Sequence, residues 1–257
     1  MKTTLRAAGL TDIGRKRKHN EDSYVIVLPE GLVAVADGMG GHAAGEVAAR
    51  IAVDTIEEFI NDTSQKMENT WPFQYNHQWR FNSNRLAVAV EKANERVMAA
   101  VARQPSLKGM GTTLVAAIFN GATMSLAHVG DSRAYRLREG GFKRLTEDHS
   151  WVHEQIATGI LTEEEAKSHP LKNVVTRALG GGPTVMPDVQ ELDLETGDRY
   201  LFCSDGLTTM LSDEETAELL QGDGELEGVC QRLVERANEK GGLDNITVVL
   251  VEVGDPA

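Results

Sequence analysis

Leu32-Val33-Ala34-Val35-Ala36-Asp37-Gly38-Met39-Gly40-Gly41 is the stretch that decides the fold. An unbroken apolar run stops at an acid, and a glycine-rich segment follows. That pattern predicts a short buried strand ending in a turn, with a carboxylate at the strand's end. Working outward, Leu5–Leu10 and Ser23–Leu28 read as strands before it. A helix is expected after it, over about Ala43–Asn61. There Val47, Ala48, Ile51, Ala52, Ile56, Phe59 and Ile60 recur at helical spacing. A second helix, about Arg85–Arg103, repeats the spacing with Leu86, Val90, Ala93, Val97 and Val101. Residues 65–84 between them carry Trp71, Phe73, Tyr75, Trp79 and Phe81 without a clear period. They read either as an insertion folded against the surface or as an aromatic docking patch.

Strands resume at Thr112–Phe119, Thr123–Val129 and Ala134–Leu137, joined by short Asn-Gly and Gly-Asp-Ser turns that imply antiparallel pairing. Short helices are expected at Trp151–Ala157 and Glu163–Ser168. Strands follow at about Val189–Leu194 and Arg199–Cys203, then helices at Asp213–Leu220 and Glu225–Glu239, and a last strand at Thr247–Val253. No internal repeat or long linker divides the chain. The reading is one α+β domain over residues 1–257, with helix pairs covering antiparallel sheets.

The 257 residues hold 39 Asp+Glu against 26 Lys+Arg, a formal charge of −13, and 41% are hydrophobic, enough for a sizeable core. Net acidity argues against holding nucleic acid, whose affinity comes mostly from Lys and Arg displacing counterions. It argues equally against anionic membranes. Residues 187–228 contain thirteen acids and one base, Arg199; most of them read as solvated surface. Cys203 and Cys230 lie in apolar stretches with no zinc-ligand neighbourhood and read as buried thiols. The first residues lack a signal-peptide core, and no run approaches the ~18 apolar residues of a membrane span. A cytoplasmic protein is expected.

The chemistry sits in acids at strand ends. Asp37 ends one apolar run, Asp205 another, and Asp131 follows Leu126–Gly130. Glu21 and Asp22 precede Ser23–Leu28, and Asp244 precedes the strand-like Ile246–Val251. A carboxylate beside buried strands is costly unless paired or bound to a metal. Any one of these acids is ordinary as a turn or cap; their recurrence in one setting is not. Converging carboxylates make a hard-oxygen site for Mg²⁺ or Mn²⁺ rather than zinc. Two such ions together can activate water for in-line attack on phosphorus.

In order along the chain stand Arg17-Lys18-His19-Asn20-Glu21-Asp22, Asp37-Gly38-Met39-Gly40-Gly41-His42, Gly111-Thr112-Thr113, Gly130-Asp131-Ser132-Arg133, Asp148-His149-Ser150, Ser204-Asp205-Gly206-Leu207 and Asp244-Asn245-Ile246-Thr247. This ordered set closely resembles the PPM (PP2C-type) metal-dependent protein serine/threonine phosphatases in their bacterial form. The resemblance implies a four-layer α/β/β/α sandwich of two antiparallel sheets, with two to three Mn²⁺ or Mg²⁺ ions at one end. Asp37 would bridge two ions, and Asp205 and Asp244 would complete the first site. Glu21 and the Gly38 carbonyl would serve the second, and Asp22 would hold its water. Asp131, with Asp205, would form a third and weaker site. Arg17 would bind the substrate phosphate, and Asn245 would support the acids. Residues from Asp148 to about 170 would form a flap where substrate peptides are met.

One departure stands out. Many eukaryotic members place a histidine directly after the Asp-Gly pair, where this sequence has Met39. His42 is then either the proton donor to the leaving group or a hydrogen bonder at a helix start, with water on a metal, or Asp131 acting through its ion, as the alternative proton source. His149 and His153 lack the His-Glu-x-x-His pattern of zinc enzymes and read as structural. The expected function is hydrolysis of phosphoserine and phosphothreonine on proteins without a phosphoenzyme, by a monomer opposing a eukaryotic-like Ser/Thr kinase. A silent binding module on the same fold and a small-molecule phosphohydrolase are the competing readings. No metal acid is missing, which disfavours the first; no nucleotide-binding glycine loop accompanies the acids, which disfavours the second.

Overall fold

The computed structural model describes residues 3–40, 44–222 and 224–256. Strands β1 (Thr3–Asp12), β2 (Asp22–Val27) and β3 (Leu32–Met39) lead into helices α1 (Ala44–Asp62) and α2 (Phe81–Arg103). Five strands follow: β4 (Gly111–Thr112), β5 (Leu114–Asn120), β6 (Thr123–Val129), β7 (Arg133–Arg138) and β8 (Gly141–Arg144). Short helices α3 (Trp151–Ala157) and α4 (Glu163–Ser168) precede β9 (Asp188–Asp193) and β10 (Arg199–Cys203). Helices α5 (Asp205–Thr208), α6 (Asp213–Gln221) and α7 (Leu226–Glu239) and the long strand β11 (Ile246–Pro256) complete the chain.

Two antiparallel sheets result. One has the order β1-β11-β10-β7-β8, the other β2-β3-β5-β6-β9, with β4 paired to β3. Inner strands are buried on both faces, which is why they read as continuous apolar runs rather than alternating ones. In β3, Val33 and Val35 face the other sheet, while Leu32, Ala34 and Ala36 face α1 and α2. In β11, Val249, Val251 and Val253 point between the sheets, and Ile246, Val248 and Leu250 point to α7. Tyr200, Phe202 and Phe119 fill the middle, with ring centroids 5.4 and 6.3 Å apart. Three apolar seams thus hold four layers, helix–sheet–sheet–helix, as the family resemblance implies. Cys203 and Cys230 are free and buried, and burial pushes both thiols up to about 12.

Some elements depart from the sequence reading. Helix α2 starts at Phe81, four residues early, because Ser83 and Asn84 are held by tertiary partners. Ser83 Oγ meets Ser125 Oγ at 2.8 Å, and Asn84 Nδ2 donates to the Asn76 carbonyl at 3.1 Å. The expected strand Thr112–Phe119 breaks at Thr113, and Gly111–Thr112 pairs separately with Gly38 and Met39. Strand β8 was unread because its turn, Glu139 and Gly140 with φ of 49° and 79°, lacks the usual Asn-Gly signal. In the 65–84 segment, Trp71 packs edge-on against Phe59 and Phe81 at 6.0 and 5.2 Å, and Phe73 closes the group. No helix among the described residues is long and apolar enough to cross a membrane.

Candidate active site

Antiparallel pairing brings alternate strand termini to one end of the sandwich. The ends of β3, β6 and β10 and the starts of β2, β7 and β11 meet there. Asp22 is registered directly opposite Asp37 across the β2–β3 ladder. Asp205 opens α5 just beyond β10, Asp244 lies two residues before β11, and Asp131 sits in the turn between β6 and β7.

Close backbone approaches set the acids in place. A Cβ on Gly206 would fall 1.9 Å from the Asn245 carbonyl oxygen, so only glycine lets the Asp205 turn lie against the Asp244-Asn245 segment. A Cβ on Gly38 would fall 2.1 Å from the Gly45 carbonyl oxygen, so the first turn of α1 abuts the end of β3. Glu21 lies against the same turn: a Cβ on Gly45 would be 2.9 Å from its carboxyl carbon. Asn245 is buried and ties three segments. Its Oδ1 accepts from the Glu21 N–H at 2.8 Å, and its Nδ2 donates to the carbonyls of Ile13 and His19 at 3.0 and 2.9 Å.

The electrostatics are those of a cation site. Asp22, Asp37, Asp131, Asp205 and Asp244 are all half-buried. Burial pushes Asp22 up to about 7, against the hydrogen bonds it accepts from Thr247 and Ser204, with Asp205 and Asp244 raising it further. Asp131 also rises to about 7, through burial and then the charges of Asp205 and Asp148. Asp205 rises to about 6 through burial and Asp244, offset in part by a hydrogen bond with Asp37. Asp37 is held well above the carboxylate range by burial and by Asp22, Asp205 and Asp131. Mutual repulsion of this kind disfavours the charged forms unless a cation joins them. Asp22 Oδ1 is buried with no partner among the described residues. All-oxygen donors, an orphaned carboxylate oxygen and a backbone stripped of Cβ atoms fit hard divalent ions.

Arg17 crosses this end. Its Nη2 donates to Asp244 Oδ2 at 2.5 Å, and its side chain remains 49% exposed. His42 lies outside the described residues. Hydroxyls adjoining the acids escaped the sequence reading. Ser204 Oγ and Thr247 Oγ1 each donate to Asp22 Oδ2 at 2.7 Å. Thr113 Oγ1 accepts from the Asp37 N–H at 3.1 Å and meets Ser132 Oγ at 2.7 Å. Their only signal was position, within the same short motifs as the acids. Arg133, the other nearby cation, is committed elsewhere: it grips Asp148 with two bonds of 2.9 and 2.6 Å. Helices α3 and α4 follow Asp148, and the Trp151 N–H donates to the Val174 carbonyl at 2.8 Å.

Comparison with known proteins points the same way. The family model described as protein phosphatase 2C matches residues 13–248. The serine/threonine phosphatase stp of Listeria innocua is 39% identical over 249 residues, covering 94% of this chain and 93% of that protein. The crystal structure of the Mycobacterium tuberculosis serine/threonine phosphatase PstP/Ppp is 39% identical with a TM-score of 0.87, covering 98% of this chain and 99% of that one. A structure of the PstP catalytic domain in complex with two manganese ions is 38% identical, with a TM-score of 0.85, and covers 99% of this chain and 100% of that one. With that breadth of match, this chain belongs to the protein phosphatase 2C family of serine/threonine phosphatases.

Proposed function

We propose that this chain hydrolyses phosphoserine and phosphothreonine on proteins at the carboxylate end of its sandwich, using two to three Mn²⁺ or Mg²⁺ ions. The observation that carries this reading is the set of half-buried, mutually repelling carboxyls Asp22, Asp37, Asp131 and Asp205, whose shifts stay upward although Arg133 and Arg17 partly offset those of Asp131 and Asp205. Asp37, Asp205 and Asp244 would hold the first ion. Asp37, Glu21 and the Gly38 carbonyl would hold the second, with Asp22 beside it, and Asp131 and Asp205 would hold the third. Bound, such ions act as Lewis acids that make water nucleophilic near neutral pH and offset phosphate charge.

The chain's own groups do the rest. Arg17 engages the substrate phosphate with its planar fork of donors and stabilises the charge that develops during transfer. Its bond to Asp244 keeps it at the site until substrate arrives. Ser204 and Thr247 hold Asp22 in one rotamer, and Asn245 fixes the Glu21 backbone. In the reaction a water oxygen bonds to phosphorus, the bond from phosphorus to the seryl or threonyl oxygen breaks, and a proton passes to that leaving oxygen. His42 or a site water supplies the proton. No phosphoenzyme forms. The chain works as one monomeric cytoplasmic domain, with its flap over about 148–170 meeting the peptide and the 65–84 insertion remote from the chemistry. Its counterpart is a Ser/Thr kinase of the eukaryotic-like type, and it binds neither nucleic acid nor membrane.

The decisive test is hydrolysis of phosphoserine, phosphothreonine and phosphotyrosine peptides with and without Mn²⁺, alongside Asp205→Asn. Mn²⁺-dependent release from the first two, lost in Asp205→Asn, is expected. Metal-independent turnover by Asp205→Asn would sink the mechanism.

A further inference from the structure

Three side chains outside the acid cluster converge behind it: His128 in β6, His149 just before α3, and Asp188 at the start of β9. One ligand atom of each lies within 4.8 Å of the other two, a spacing that invites a metal ion. The hydrogen bonding argues otherwise. The Gly130 N–H donates to His149 Nδ1 at 3.0 Å. Burial pulls His149 down to about 4, so the ring is neutral at ordinary pH. A neutral imidazole that accepts at Nδ1 carries its proton at Nε2, which leaves no lone pair there for a metal. That Nε2–H faces Asp188 Oδ2 at 3.3 Å without completing a hydrogen bond among the described residues. His128 Nε2 meets the Glu147 carbonyl at 2.8 Å, and its ring stacks on His149 with centroids 4.6 Å apart.

We infer that His149 is a positioning residue: its ring and backbone clamp the Gly130-Asp131 turn and so aim the Asp131 carboxylate at the acid cluster. The clamp has two points. Besides accepting from Gly130 at Nδ1, His149 donates its backbone N–H to the Gly130 carbonyl at 3.0 Å. Gly130 itself sits at φ +104°, where a Cβ would lie 2.6 Å from Thr113 Cβ. The turn is therefore wedged between His149 on one side and the Thr113–Ser132 hydroxyl pair on the other. The Gly130 N–H at Nδ1 leaves the ring proton on Nε2, the side that faces Asp188, itself held by Arg177 at 2.7 Å. The His149 carbonyl accepts from the Thr176 N–H at 2.8 Å, tying the clamp to the segment that closes the flap. This inference rests on the reading of Asp131 as a ligand of the weaker third ion.

The test compares His149→Asn, His149→Gln and His149→Ala with the unmodified protein. An Asn amide oxygen reaches the place of Nδ1 and still accepts from Gly130; a Gln oxygen reaches the place of Nε2 and does not. In Gln and Ala, the Gly130 amide should exchange its hydrogen about 10-fold faster or more, with Asn close to unmodified, as expected for loss of one buried hydrogen bond. In calorimetric Mn²⁺ titrations the weakest step should weaken by about 10-fold in Gln and Ala and recover in Asn, while tighter steps move less than about 3-fold. Equal loss in Asn and Gln, or unchanged Gly130 exchange in Gln, overturns the clamp. Asp131→Asn separates the two readings. If it keeps the weakest Mn²⁺ step, the role of Asp131 falls, and Gly130 exchange alone then decides whether His149 fixes the turn.

Discussion

Two groups of buried acid in this molecule behave in opposite ways. Asp198, in the acid-rich 187–228 stretch, is 1% exposed, yet its carboxyl is held below the usual range. Burial pushes it up, but Arg138 overrides that with paired bonds of 2.7 Å, helped by the Glu195 N–H and the Tyr200 hydroxyl at 2.9 Å. Asp37 and Asp22 are crowded by other carboxyls instead, and both are raised. Desolvation acts alike on both groups; the partner decides the sign. Asp198 is a finished ion pair. The acid cluster is unfinished without cations. Most other acids of 187–228 are exposed, as expected of solvated surface, but Asp198, which anchors the end of the β9–β10 connection, is inside.

The contrast can be broken or sharpened by experiment. The largest effect belongs to Asp37→Asn, which should cut phosphopeptide hydrolysis by about 10³-fold or more, as expected for removing a group that organises transition-state electrostatics. In protein stripped of divalent ions the same change should raise the melting temperature at pH 8, because it deletes a repelled charge. A lowered melting temperature there would contradict the repulsion. Next, Arg17→Ala should reduce kcat/KM by about 10²-fold, the scale of one lost charge-assisted contact to the transition state. Calorimetric binding of the tight Mn²⁺ ions should survive it.

The pH response tests the cluster as a whole. A carboxyl whose folded-state pKa is raised holds its proton more tightly folded than unfolded. For Asp22 and Asp131, raised to about 7, and Asp205, raised to about 6, ion-free stability should be greatest near pH 4 and fall as pH rises toward 7. Thermal melts with EDTA should show a drop of roughly 5 °C or more across that window, removed by Mn²⁺. Asp198 has the opposite sign, contributing stability above its unfolded value and losing it in acid. Asp198→Asn should accordingly cost about 1–3 kcal/mol in urea unfolding while leaving turnover intact. The smallest effect is expected at fully exposed Glu214 in the first turn of α6, where Glu214→Gln should leave both activity and melting temperature unchanged within error.

Legibility differed by region for physical reasons. The helices α1 and α7 and the strands β3, β10 and β11 announce themselves, because a 3.6-residue stripe or an apolar run is a local property of sequence. The beginning of α2 was hidden, since its Ser and Asn residues compete with helix unless tertiary partners satisfy them, as Ser125 and Asn76 do. The acids were found because each stands where an apolar run starts or stops. Ser204, Thr113 and Thr247 were not, because a hydroxyl beside a strand end looks the same whether it meets water or a buried carboxylate.

The sequence alone determined where most of the strands lie and which acids and glycines stand at their ends. These follow from periodicity and composition, which need no knowledge of neighbours. Only the tertiary structure decided which acids repel and which are paired. Asp22 and Asp37 become neighbours through ladder register, and Asp205 and Asp244 through a glycine that lets two turns touch. Asp198 finds Arg138 sixty residues away in the chain. A carboxyl's charge state depends on the solvent it loses and the charges it meets, and both are set by segments distant in sequence.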